Sequence, residues 1–252
     1  MKLLILGGSS DASALIRALA VDARFAPVLS LAGRTRAPVL PAGVAVRIGG
    51  FGGVAGLVAF LRMERIGAIV NATHPFAAGM SANAAAAAGE TGVPLLRILR
   101  PAWAPQAGDD WRQVADMAAA ARAIGATPRR VLLTIGRQDL APFAAAPQHH
   151  YVIRSVDPPP PEALPPRATV ISARGPFDPA AEAALLRDHA IEVVVTKNAG
   201  GNATEAKLAA ARALGLPVVM VARPAPAPGE TVTDVAAALQ WLDSVHAALR
   251  GV

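Results

Sequence analysis

The chain has 252 residues, 53% of them hydrophobic and 17% charged, which suits one large α/β domain or two smaller ones and excludes a disordered polypeptide. It has no cysteine, so disulfides, thiolate zinc sites and cysteine nucleophiles are excluded and a reducing cytoplasm suits it; no apolar run reaches a membrane span, and residues 1–8 read as a first strand, too short for a signal peptide. The formal net charge of +6 is mostly arginine, with Lys2, Lys197 and Lys207 the only lysines; without a basic cluster longer than Arg129-Arg130, this favours forked recognition of small anions over nucleic-acid binding.

In chain order, apolar β-like runs alternate with helical periodicity. Strands are predicted at 2–6, 27–31, 44–48, 68–72 and 94–98, with helices at 11–20, 53–64 and 77–90 between them. In the second of these helices Val54, Leu57, Val58 and Leu61 recur at helical spacing. Residues 100–111 have no period and read as a linker. A second α/β run follows: helix 114–124, strands 129–135, 150–155 and 168–173, helix 178–189, strand 192–196, helix 202–214 and strand 217–221. The proline-dense segment 156–167 reads as an extended loop. A last helix at 233–249 carries Val235, Leu239, Leu242, Val245 and Leu249 as its stripe. Short loops between alternating strands and helices predict α/β architecture with mainly parallel sheets flanked by helices. The composition break sets the domains at 1–100 and 101–252.

The candidate site residues sit at strand ends. Gly7 and Gly8, with Ser9 or Ser10 as helix cap, offer backbone N–H groups to a phosphate. The sequence GGSSDA lacks the full dinucleotide fingerprint, but it ends the first strand of a βαβ unit. The second strand runs into Gly33, Arg34 and Thr35 with no carboxylate; an arginine there fits a 2′-phosphate, which favours NADPH over NADH. Gly50 and Phe51, within GGFGG after the third strand, would let backbone pass close to a flat ligand. In a sheet ordered 3-2-1-4-5 the loop after the fourth strand lies at the ligand crevice. It carries Asn71, Thr73 and His74, a stiffening Pro75, and Phe76 with a face to stack.

The second half repeats the theme. Arg137 and Gln138 follow one strand, Arg174 another, and Lys197, Asn198, Gly200 and Gly201 a third. Asn202 and Glu205 have capping-box spacing, predicting an anion site at a helix N-terminus. No paired carboxylates, Ser-His-Asp set or metal-ligand cluster stands out.

Taken together, LLILGGSSDA, GGFGG, NATHPFA, TIGRQDL, ARGPF and TKNAGG..TEAKLAAARALGLPVVMVARP resemble the precorrin-6A reductase family of cobalamin (vitamin B12) biosynthesis, over nearly the whole chain. The family includes the cobalt-precorrin-6A reductases of the anaerobic branch. Ser9-Ser10-Asp11 departs from the Thr and Glu expected there, which touches the side chains of that loop and not its glycines. The resemblance implies a cytoplasmic oxidoreductase with two Rossmann-like domains and the active site in the cleft between them. It would reduce the C18–C19 double bond of precorrin-6A with NADPH, giving precorrin-6B. The tetrapyrrole, rimmed by carboxylates, would be its small-molecule partner, with room for transient contact with neighbouring pathway enzymes and none implied with nucleic acid or membrane. His74 and Lys197 are then the catalytic candidates. Gly7, Gly8, Ser9, Ser10, Gly33, Arg34, Thr35, Gly50, Phe51 and Thr73 face the cofactor, and Pro75, Phe76, Arg137, Gln138, Arg174, Asn198, Gly200 and Gly201 the substrate. Competing functions are a non-catalytic NADPH-binding regulator and a methyltransferase; the arginines after the second strand argue against the latter.

Overall fold

The computed structural model describes residues 1–33, 35 and 42–251. It divides into two units, Met1–Pro101 with Pro224–Val252, and Ala102–Arg223. In the first, β1 (Lys2–Leu6), β2 (Ala26–Leu31), β3 (Ala45–Ile48), β4 (Ala68–Asn71) and β5 (Leu95–Ile98) alternate with α1 (Ser10–Leu19), α2 (Gly53–Met63) and α3 (Ala78–Thr91). In the second lie β6 (Trp111–Val114), α4 (Met117–Ala123), β7 (Arg130–Thr134), β8 (His150–Ser155), β9 (Ala168–Ser172), α5 (Pro179–Asp188), β10 (Val193–Lys197), α6 (Ala206–Ala213) and β11 (Val218–Val221). The chain then returns to the first unit with β12 (Glu230–Val232) and α7 (Val235–Arg250).

The first sheet is ordered β12-β5-β4-β1-β2-β3 and the second β6-β11-β10-β7-β8-β9. Every pairing is parallel, so the loops leaving the strand C-termini gather along one edge of each sheet. The order reverses direction at β1/β4 and at β7/β10, where such sheets bind ligands.

Hydrophobic period accounts for the layers. Leu3 and Ile5 face α1 and α7, while Leu4 and Leu6 face α2 and α3. Leu15, Ile16 and Leu19 of α1 keep at most 1% exposure; burying each fully is worth about 1.5–3 kcal/mol. In the second unit Leu132, Val194 and Met220 pack with Leu186 and Leu208.

Several expectations are corrected. The second domain does not run to residue 252: β12 pairs with β5, and Ala238 and Leu242 of α7 enter the first core. Leu249, expected in the α7 stripe, is 61% exposed. The apparent linker ends in β6, a four-residue edge strand paired with β11 whose Arg112 and Gln113 masked it as loop; helix α4 accordingly begins later than expected. The proline-dense loop contains one turn of 3-10 helix, Pro161–Ala163.

Candidate active site

The strand-to-helix turn after β1 is built for a close approach. The Gly7 N–H continues the sheet by donating to Ser30 O at 2.9 Å. A Cβ on Gly7 would come within 2.5 Å of Leu29 Cδ1, whereas one on Gly8, at φ +106, would project into open space. Ser9, not Ser10, is the cap: its Oγ accepts from Ala12 N at 3.1 Å and donates to Ala72 O at 2.6 Å, tying the turn to the end of β4. The helix geometry leaves the N–H groups of Ser10 and Asp11 without intrahelical acceptors, at the positive end of the dipole. Asp11 would oppose an anion there, but Arg100 Nη1 sits 2.7 Å from its carboxylate. Arg100 follows β5 and carries no local motif, so sequence reasoning missed it.

After β2, Gly33 has φ +73 and Thr35 is half-buried; Arg34 lies outside the described residues. Near the end of β3, Arg47 donates to Gly49 O at 2.6 Å and Gly50 O at 2.5 Å, and its guanidinium lies 3.8 Å from the Phe51 ring centroid. Arg47, another residue the motifs did not reveal, thus shapes the GGFGG loop and covers part of its aromatic ring. A Cβ on Gly56 would lie 1.7 Å from Phe51 O, so this loop and α2 meet at backbone distance.

The NATHPFA loop is organised by buried Asn71. Its Oδ1 accepts from Thr73 N at 3.2 Å and Thr73 Oγ1 at 2.8 Å, while its Nδ2 donates to Ser81 Oγ at 2.9 Å. His74 Nδ1 accepts from Phe76 N at 3.2 Å, so the neutral imidazole carries its proton on Nε2. Thr73, His74, Pro75 and Phe76 are all half-buried. Gly7, Gly8, Ser9, Ser10 and Thr73 therefore share one strand-end edge at β1/β4, with Gly33, Thr35, Gly50 and Phe51 on the β2 and β3 side of it.

In the second unit the strand-end loops bind one another. Lys197 Nζ, at the end of β10, lies 2.5 Å from Asp139 Oδ2 in the loop after β7, bridging the β7/β10 reversal beside half-buried Arg137 and exposed Gln138. The Asn198 side chain accepts from Trp103 N at 2.8 Å and donates to Trp103 O at 2.9 Å. Arg223 donates to Asn198 O at 2.7 Å and Ala199 O at 2.8 Å. Gly200 and Gly201 have φ +66 and +76. Exposed Arg174 precedes Gly175, where a Cβ would come within 2.9 Å of Ala203 O. This brings the loops after β9 and β10 together.

The capping box is not formed. A 3-10 turn, Asn202–Thr204, intervenes, and α6 begins at Ala206 with no side-chain cap. The paired left-handed glycines feed the chain into that tighter turn. Beneath it Lys207, 3% exposed, donates from Nζ to Thr204 O and lies 4.8 Å from the Trp103 ring centroid. Burial pulls its ammonium down to about 7 from 10.5, and neighbouring Arg154 adds to the effect. Arg154 pairs with Glu182 in the same interior, its guanidinium 3.9 Å from the Phe177 ring centroid.

No helix among the described residues is long and apolar enough to cross a membrane. The family model described as precorrin-6x reductase CbiJ/CobK matches residues 2–243. The precorrin-6A reductase of Rhodobacter capsulatus is 50% identical over 251 residues, covering 100% of this chain and 99% of its own. A cobalt-precorrin-6A reductase of Priestia megaterium is 30% identical, covering 88% of this chain and 90% of its own. A solved structure titled CobK precorrin-6A reductase superposes with a TM-score of 0.92 at 50% identity, covering 97% of each chain. With the fold and nearly the whole sequence matched, the chain belongs to the precorrin-6x reductase family.

Proposed function

We infer that this protein is a precorrin-6A reductase of cobalamin biosynthesis, reducing one double bond of a metal-free tetrapyrrole with NADPH. The observation that carries this is the end-to-end match to precorrin-6A reductases at 50% identity, against 30% for the cobalt-precorrin-6A reductase. That difference favours the metal-free substrate over its cobalt-bearing counterpart.

The residues at the β1/β4 reversal fit a dinucleotide. Gly8 opens space where a side chain would otherwise stand, and the first-turn N–H groups of α1 are available to a pyrophosphate. Arg34 and Thr35 would read a 2′-phosphate. The cofactor would supply a hydride to one carbon of the double bond, and its neighbour takes a proton, so the product gains two electrons and two hydrogens. Arg100, paired with Asp11, would offset that carboxylate's repulsion of the phosphates. Asn71 fixes Thr73 and the turn around His74 so that this loop orients the reacting faces, and His74 holds a proton at Nε2. Water suffices as the proton source, which leaves orientation as the main task of the loop. Arg137, Arg174 and Lys197 would take the carboxylates of the macrocycle rim.

The test is anaerobic turnover of enzymatically prepared precorrin-6A with NADPH or NADH, followed by loss of reduced-cofactor absorbance. Oxidation of NADPH, with little of NADH, is expected. NADPH binding without oxidation would overturn the substrate assignment and bring cobalt-precorrin-6A forward. Absence of NADPH binding would overturn the glycine-turn assignment itself.

A further inference from the structure

Arg97, on β5, is 8% exposed, and its Nε is closed off from solvent with no hydrogen-bond partner among the described residues. None of their ion pairs includes it. Arginine does not escape such a site by losing its proton, so the cation stays and its buried Nε–H is left without an acceptor. In the parallel β4/β5 pair Arg97 is in register with Asn71. Paired residues share a sheet face. Asn71 donates to Ser81 in the first turn of α3, so Arg97 lies beside that turn.

The helix start is itself incomplete. Its N-cap is Ala77, with no side-chain cap and no acidic residue in the first turn. A Cβ on Gly79 would meet nothing within 4 Å. Register thus puts Arg97 on the sheet face that the first turn of α3 covers, one strand from the residue that bonds that turn. A planar carboxylate matches the guanidinium fork.

We propose that Arg97, with the N-terminus of α3, is the receptor for a carboxylate of the bound substrate. The proposal rests on the tetrapyrrole polycarboxylate assigned above. The other source of an anion is a cofactor phosphate. The turn that would hold those phosphates follows β1, two strands and about 10 Å from β5, which favours the substrate.

The experiment compares wild type with Arg97→Met and Arg97→Lys. Arg97→Met is expected to raise KM for precorrin-6A by about tenfold or more, from loss of a charged hydrogen bond. NADPH affinity should stay unchanged, and the melting temperature of the ligand-free protein should hold or rise, because a buried N–H without an acceptor is gone. Arg97→Lys should recover part of the KM. A falling melting temperature with unchanged KM would overturn the proposal in favour of a structural arginine. A selective loss of NADPH affinity would overturn it in favour of the cofactor phosphate. In parallel, citrate is titrated as a carboxylate probe against both proteins at constant ionic strength. Thermal stabilisation of wild type beyond Arg97→Met is expected, and equal stabilisation would overturn the proposal. That arm needs no turnover, so it decides on Arg97 even if wild type fails to reduce precorrin-6A, a result that would count against the function inferred above.

Discussion

The two units place loops at the same topological position and use them in opposite ways. In the first, the β1 and β3 turns present glycines facing open space at Gly8, Gly49, Gly52 and Gly53, and a capped helix start, with Arg47 bracing the β3 turn through backbone carbonyls. In the second, side chains already hold the loops: Lys197 to Asp139, Asn198 to Trp103, and Arg223 to the Asn198 and Ala199 carbonyls. Backbone donors fixed in an open turn suit an invariant group such as a pyrophosphate. Charged side chains that already have partners must exchange them, which suits a large substrate whose several carboxylates arrive together.

The comparison can be broken first at its most rigid point. Gly56→Ala would drive a Cβ into Phe51 O and should cost about 3 kcal/mol of stability, read by denaturant unfolding. Gly8→Val adds a branched side chain at φ +106 and should weaken NADPH binding by about tenfold to a hundredfold in a fluorescence titration. Substrate KM should be the less affected quantity. Lys197→Ala should do the reverse, raising KM for precorrin-6A by about tenfold with NADPH affinity unchanged. Asp139→Asn, which removes the carboxylate that Lys197 now holds, should lower that KM.

A finer contrast concerns pH. Lys207 titrates near 7 in the folded chain and near 10.5 when unfolded, so between those values unfolding takes up a proton. Its contribution to stability is therefore fully present above pH 10.5, shrinks as pH falls through that window and is lost below about 7. The melting temperature of wild type relative to Lys207→Met should accordingly climb from neutral to alkaline pH; a flat difference would contradict this. The smallest effect is expected at His74. If water delivers the proton, His74→Ala should fall well short of the roughly hundredfold loss in kcat that removal of a general acid produces.

Alternating apolar runs, glycine turns and the β1–β5 order were legible in the sequence because each follows from local period and backbone freedom. What escaped depends on contacts distant in sequence. Arg100 meets Asp11 from 89 residues away, and Asp139 meets Lys197 from 58. No spacing rule announces either. Strand β6 carries Arg112 and Gln113 at its centre and so lacks an apolar run, and β12 has only three residues, Glu230 and Thr231 among them. The Asn202/Glu205 pattern misled because the preceding Gly200 and Gly201 take positive φ and redirect the backbone before a capping box can close. Arg97 carries no motif; its significance lies in the hydrogen-bond partner its Nε lacks among the described residues.

The return of the C-terminal segment also sets an order of synthesis. A ribosome completes every strand of the second sheet before it releases β12 and α7, which the first sheet still needs. Until then β5 presents an unpaired edge, and Phe25 and the α1 face lack the cover of Ala238 and Leu242. A truncation or proteolytic nick after residue 223 would spare all six strands of the second sheet and strip the first of an edge strand and a covering helix. Damage at the tail of the chain would thus be felt by the unit that was begun first.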